Sequence, residues 1–308
     1  MLVAILMLIG GLLLLIIGGE GSVRGGSSLA QRFRVPPFII GATIIAFGTS
    51  MPELVVTLTA ALKNSPGLAL GNIVGSNIAN LGLILGIAAL LMPVSIAKSD
   101  IKKETLSILG VMILMVLFSF DGKIYQIEGI ILLIAMGGFI VLTLFRIRTG
   151  PAEAETPVIP PHGTAVTVMM IIGGIAALIL GGQLLVDGAV TISRMFGVSE
   201  YVIGALAVAI GTSLPEVAAS VSAALHGKGE LAIGNVFGSN AFNVLFVLGT
   251  GATIKPITVM ENIVPDLVFF VVLTIFPLAI LLIKQSLSRW QGVLLLIIYI
   301  AYVIKVIA

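Results

Sequence analysis

The chain has 308 residues, 58% of them hydrophobic and only 10% charged, with a mean hydropathy of +1.22. That composition excludes a soluble globular domain and describes a polytopic membrane protein. A net charge of +2, with the basic residues scattered over short loops, leaves no footprint for nucleic acid. The absence of cysteine removes disulfides and thiolate metal sites.

About 20 apolar residues cross a bilayer as one helix. On that ruler the sequence predicts an all-α membrane protein of ten spans, roughly 2–19, 37–63, 67–92, 104–120, 126–146, 165–186, 200–225, 230–253, 264–283 and 290–307. The first run lacks a basic leader and a small-residue cleavage site, so it reads as a span and not as a removed signal peptide. Glu20 and Asp187 fall near the ends of spans 1 and 6 and read as snorkelling or loop residues.

Span 2 carries Gly48-Thr49-Ser50-Met51-Pro52-Glu53 between uncharged runs. An unpaired carboxylate at membrane depth is costly, so Glu53 is a functional candidate. Pro52 cannot donate a backbone hydrogen bond and breaks the helix. Such a break is tolerated only where the backbone is buried in protein or lines a cavity. Thr49 and Ser50, four and three residues before Glu53, share its helix face. The break is expected to free carbonyls near Ala46 and Gly48. Carboxylate, hydroxyl and main-chain oxygens together suit hard cations such as Ca²⁺ and Na⁺.

Span 3 adds a polar stripe, Asn72, Ser76 and Asn80, beside small residues that include Gly71, Gly75 and Ala79. Ser76 and Asn80 read as ligands; Asn72 and Asn77 read equally well as interhelical glue. The segment 147–163, with Pro151, Pro157, Pro160 and Pro161, is too polar and proline-rich to bury a core and reads as a linker loop. His162 and His226 fall in loops and make no zinc or haem set. Asp266 reads as a headgroup-level residue, and Tyr125 and Trp290 as interfacial aromatics.

The chain is duplicated. Adding 163 to a first-half number lands on Gly211-Thr212-Ser213-Leu214-Pro215-Glu216, on Asn235, Ser239 and Asn243, and on Asn240 opposite Asn77, without a gap. Ser239 and Asn243 therefore read as ligands; Asn235 and Asn240 share the open reading of Asn72 and Asn77. Five spans per half is an odd number, so the second copy sits upside down, the inverted-repeat plan of secondary transporters. The expected organisation is 1–146 as the first repeat, 147–163 as linker and 164–308 as the second repeat. One set of alternate loops holds eleven Lys and Arg, and the other side holds five: Lys63, Lys123, Arg194, Lys255 and Lys305. The positive-inside rule then places the linker in the cytoplasm and both termini outside the cell membrane.

Other classes fit less well. A channel uses a ring of like residues around an open pore, whereas both halves of a closed site lie in one chain here. No H-E-x-x-H motif or intramembrane His supports an enzyme, and no G-x-x-x-x-G-K-[ST] loop supports an ATPase.

Gly-Thr-Ser-(Met/Leu)-Pro-Glu followed by Gly-Asn-(Ile/Val)-x-Gly-Ser-Asn, given twice, resembles the sodium/calcium exchanger family, and its prokaryotic members in particular. The resemblance runs through all ten spans. It implies Ca²⁺ extrusion in exchange for Na⁺ by alternating access, with the ions as cargo, no cofactor and no obligate protein partner. The implied Ca²⁺ ligands are Glu53 and Glu216. Na⁺ would be shared with Thr49, Ser50, Ser76, Thr212, Ser213, Ser239 and the carbonyls of Ala46 and Ala209, with Asn80 and Asn243 completing the site. Many family members have an acid at one of those last two positions; this chain has none. Two carboxylates neutralise one Ca²⁺ or two Na⁺, so proton coupling through Glu53 and Glu216 is the alternative.

Overall fold

The computed structural model describes residues 1–33, 35–63, 65–149, 162–195, 211–259 and 263–307. Its helices are α1 (Leu2–Phe33), α2 (Pro37–Thr49), α3 (Met51–Leu62), α4 (Pro66–Leu91), α5 (Lys98–Phe118), α6 (Gln126–Thr149), α7 (Thr164–Met195), α8 (Leu214–Leu225), α9 (Gly229–Ile254), α10 (Val264–Lys284) and α11 (Arg289–Ile307). Helix dominates because lipid offers no partners for backbone N–H and C=O groups. Among the described residues seven helices are long and apolar enough to cross a bilayer alone, and α2 with α3 makes an eighth span bent by 45°. α5 has 21 residues but carries Lys102, Lys103 and Glu104 in its opening turns. α8 is the described part of the seventh predicted span, whose start lies outside the described residues together with most of the linker.

Four two-residue strands fix the inversion. β1 (Val94–Ser95) follows α4, and β2 (Lys123–Ile124) lies at the far end of α5, so the two sit on opposite membrane faces. Their repeat counterparts are β3 (Ile257–Thr258) and β4 (Ser286–Leu287). β1 pairs with β4, Val94 opposite Leu287; β2 pairs with β3, Ile124 opposite Ile257. Each strand thus shares a face with the counterpart of the other one. The second half is inverted, and a pseudo-two-fold axis relates the two ladders residue for residue.

The most enclosed spans are α9, with 94% of its apolar window buried, and α4; α11, at 11%, is peripheral. Leu106, Ile134 and Ile283 are exposed while Glu53, Asn77, Asn80, Glu216 and Asn243 are buried, which reverses the pattern of a soluble domain. α2 lies against α9 backbone to backbone. A Cβ on Gly234 would stand 2.2 Å from the Phe38 carbonyl oxygen, so only glycine fits.

α1 and α7 pack antiparallel and are longer than the sequence suggests. Both have 32 residues, about 48 Å of helix against about 30 Å of hydrocarbon. Glu20 and Arg24 therefore lie within α1 and pair with each other, and Glu20 also meets His226 Nε2 at 2.8 Å. Asp187 likewise lies inside α7. The Gly- and Ser-rich second half of α1 is a weak helix former; docking on α7 compensates. A Cβ on Gly18 would stand 2.7 Å from both the Gly174 oxygen and the Leu178 nitrogen, and one on Gly181 would stand 2.9 Å from the Gly11 oxygen. These two glycines bolt the pair together, and Gly19, facing the Ala218 carbonyl, turns toward α8. Gly18→Val should cost about 1–3 kcal/mol as overpacking, read as a lowered thermal midpoint in detergent. Gly10→Ala, with no described atom within 4 Å of its Cβ, should leave the midpoint unchanged.

Candidate functional site

The break between α2 and α3 falls at Ser50 (φ −81°, ψ 6°), and Pro52 stands in the first turn of α3. Ser213 (φ −86°, ψ 2°) and Pro215 repeat the geometry ahead of α8. Each break leaves a glutamate, Glu53 or Glu216, in the first turn of a new helix. The positive end of the helix dipole favours a carboxylate there.

The two acids meet at the pseudo-two-fold axis, each reached by the other repeat. Ser213 Oγ donates to Glu53 Oε1 at 3.4 Å, and Ser50 Oγ donates to Glu216 Oε1 at 3.3 Å. Ser76 Oγ also donates to Glu53 Oε1, at 3.4 Å. Both glutamates are buried, and Oε2 of each has no hydrogen-bond partner among the described residues. Two desolvated carboxylate oxygens, one from each repeat, call for a cation.

The remaining described members of the expected ligand set are buried. Thr49 Oγ1 lies 3.3 Å from the Ala46 oxygen and 3.5 Å from Asn235 Oδ1; Thr212 Oγ1 lies 3.4 Å from Asn72 Oδ1. At such lengths these hydroxyls are weakly held. The Ala46 carbonyl, expected to be free, accepts the Ser50 N–H at 3.0 Å as well as the Thr49 contact. Ser239 Oγ, Asn80 Oδ1 and both amide atoms of Asn243 are buried without partners among the described residues. Ala209 lies outside the described residues.

Asn72 and Asn235 serve as braces. Asn72 Nδ2 donates to the Glu53 carbonyl at 3.1 Å and to Thr57 Oγ1 at 3.0 Å; Asn235 Nδ2 donates to Ser220 Oγ at 2.9 Å. This is the glue reading, with a purpose: the brace fixes the half-helix that presents the acid. Thr57 and Ser220 escaped the sequence reading, although the offset of 163 pairs them. Also missed were three π-helical turns, Gly41–Ile45 in α2, Asn80–Ile84 in α4 and Phe242–Leu248 in α9, the last two winding the helix around Asn80 and Asn243. Such turns recur at functional sites, and no residue pattern announces them. Asp266, expected at headgroup level, is mostly buried in an ion pair with Lys305 at 2.7 Å.

A family model described as sodium/calcium exchanger protein matches residues 3–145 and again 166–308. The chain belongs to the sodium/calcium exchanger family. Among curated relatives, the putative antiporter CaxA of Alkalimonas amylolytica is 42% identical over 83% of this chain and 82% of its own length. The sodium/calcium exchanger MaX1 of Methanosarcina acetivorans is 31% identical over 97% of each. Solved structures of the sodium-calcium exchanger NCX_Mj superpose on this family member throughout. One soaked with 10 mM Na⁺ and zero Ca²⁺ gives a TM-score of 0.86 at 32% identity over 98% of both chains. Another, soaked with zero Na⁺ and Ca²⁺, gives 0.87 at 30% identity over 99% of both. The helical exchanger fold, with its inverted second half, is thus common to this chain and to NCX_Mj.

Proposed function

We propose that this exchanger extrudes Ca²⁺ across the cell membrane in exchange for Na⁺, by alternating access to one central site. The observation that carries the reading is the crossed pair of buried acids: Glu53 and Glu216, one from each repeat, each with a bare Oε2 and each touched by the other repeat's serine. Two negative charges balance one Ca²⁺ or two Na⁺, and the same oxygens can serve both in turn. Thr49, Ser50, Ser76, Thr212, Ser213, Ser239, Asn80, Asn243 and the carbonyls of Ala46 and Ala209 complete the proposed ligand set with neutral oxygen, which suits hard cations.

The proposed moving part is the α1–α7 pair. Its glycine contacts make it one body, and an apolar hollow of about 680 Å³, lined by Leu29, Ile172 and Ile175 on one side and Ile44, Phe47 and Phe246 on the other, opens along part of its border with α2 and α9. The repeats run over 1–146 and 164–308 with 147–163 as a cytoplasmic linker and both termini outside, a sidedness supported by the surplus of Lys and Arg on the linker's face. A second reading, proton coupling, draws support from the neutral Asn80 and Asn243, which leave only two acids to carry the cycle.

Uptake of ⁴⁵Ca²⁺ into proteoliposomes tests the proposal. An outward Na⁺ gradient should drive uptake at least several-fold above the level without a gradient, at constant pH. Uptake driven by a pH gradient and indifferent to Na⁺ would move the assignment to proton coupling. Uptake driven by neither would overturn exchange altogether.

A further inference from the structure

The polar network at the centre obeys the pseudo-two-fold axis with one set of exceptions. Ser50 to Glu216 is matched by Ser213 to Glu53, Thr49 to Asn235 by Thr212 to Asn72, and Asn72 to Thr57 by Asn235 to Ser220. Among the described residues four contacts have no twin, two of them the Asn72 Nδ2 bond to the Glu53 carbonyl and a 3.4 Å contact from Asn240 Nδ2 to the Asn77 carbonyl. Asn80 Nδ2 donates to Asn240 Oδ1 at 2.9 Å, but Asn243 makes no such bond to Asn77. Ser76 reaches Glu53, but Ser239 Oγ has no partner. The last two fall together: Asn77, Ser239 and Asn243 are all buried and all carry unmatched side-chain atoms.

The Asn240 contact has a directional effect. By taking the Asn80 amide nitrogen, it turns Asn80 Oδ1 the other way, as a bare acceptor. An asparagine coordinates a cation only through Oδ1, so Asn240 holds a ligand in its working orientation. Asn243 lacks that hold in this conformation. In an inverted-repeat transporter alternating access runs around a site at the repeat interface, and the pseudo-two-fold axis gives the opposite state as the one in which the two halves have exchanged conformations. The exchange would tie Asn243 Nδ2 to Asn77 Oδ1 and release Asn80.

Resting on the exchange function proposed above, we infer that Asn77 and Asn240 are positioning residues of alternating access. Asn240 orients Asn80 when the site faces one side of the membrane, and Asn77 orients Asn243 when it faces the other. They touch no ion themselves. Each acts on ions through the ligand asparagine of the opposite repeat.

The test is Ca²⁺ affinity measured separately on each face, with full-length protein in proteoliposomes of defined orientation. Losing one net hydrogen bond corresponds to about a 2- to 10-fold change in affinity. Asn240→Ala should weaken half-saturation by that factor on one face only, and Asn77→Ala by a similar factor on the other face only. A merely structural role would lower the amount or rate of both without splitting the faces. Should the alanine proteins fail to insert, Asn240→Ser and Asn77→Ser, which leave a hydroxyl for the buried neighbours but cannot span the gap, are read the same way. Equal shifts on both faces, shifts on the same face, or no shift for either residue would overturn the inference while exchange by the wild-type protein stood. Absence of wild-type exchange would instead strike the functional reading beneath it.

Discussion

Glu53→Gln and Glu216→Gln should each abolish Ca²⁺ transport while leaving a folded, membrane-inserted protein. The amide keeps the shape of the acid and can still accept from Ser213 or Ser50, so the crossed contacts between repeats survive. What disappears is half of the negative charge in a site sealed from water, since both side chains are buried. Breaking one partner of a buried charge pair costs about 3–5 kcal/mol, or roughly 100-fold and more in binding. Both variants should lose transport, because each acid holds the same place in the crossed pair. The measurement is ⁴⁵Ca²⁺ counterflow in proteoliposomes beside a thermal unfolding curve. Near-normal exchange by either variant would end the shared-site account.

External Na⁺ should weaken Ca²⁺ binding on the same face, with a dependence steeper than first order. If one pair of carboxylates serves both ions in turn, a single Na⁺ cannot replace the divalent charge. At least two must enter, so apparent Ca²⁺ affinity falls with about the square of the Na⁺ concentration, a 100-fold loss for a tenfold rise once Na⁺ saturates the site. The neutral oxygens of Ser239 and Asn243, buried without protein partners among the described residues, are the natural seats for the extra monovalent charge. Equilibrium ⁴⁵Ca²⁺ binding over a Na⁺ titration at fixed ionic strength gives the slope. A first-order slope would mean that one Na⁺ displaces Ca²⁺ with help from another cation, and no dependence would mean separate sites.

The centre was legible in the sequence because its chemistry is local. An acid, two hydroxyls and a proline within six residues dictate a broken helix with a carboxylate at the new N-terminus, and α2 and α3 meet in that way at Ser50. The offset of 163 then anticipated which residues would be related by the axis; the four short strands were not foreseen, although their register obeys the same offset. What escaped depends on partners distant in the chain. The end of the first span was placed at residue 19, since Gly21 to Ser28 look like a loop until α7 covers them. Nothing local marks Gly18 and Gly181 as the close contacts of α1 with α7, because the backbone each one admits belongs to the other helix. Asn77 and Asn240 could not be told from generic glue, because the difference lies in one 2.9 Å bond made on one side of the axis alone.

The two strand ladders superpose under the axis residue for residue, yet the halves must enter the membrane in opposite senses. Identical sequences would therefore send contradictory instructions to the insertion machinery. The chain meets this with reversals of charge in the flanks of helices whose central polar residues match. Arg24 stands opposite Asp187, Lys98 opposite Glu261 and Lys103 opposite Asp266, while every serine, asparagine and glutamate at the centre is retained. Orientation is steered by Lys and Arg in the flanks of the helices, so replacing these three cations by anions tells the second copy to thread the other way. Restoring lysine or arginine at 187, 261 and 266 would hand both halves the same address, and the resulting dispute over topology would be settled before any ion site could form.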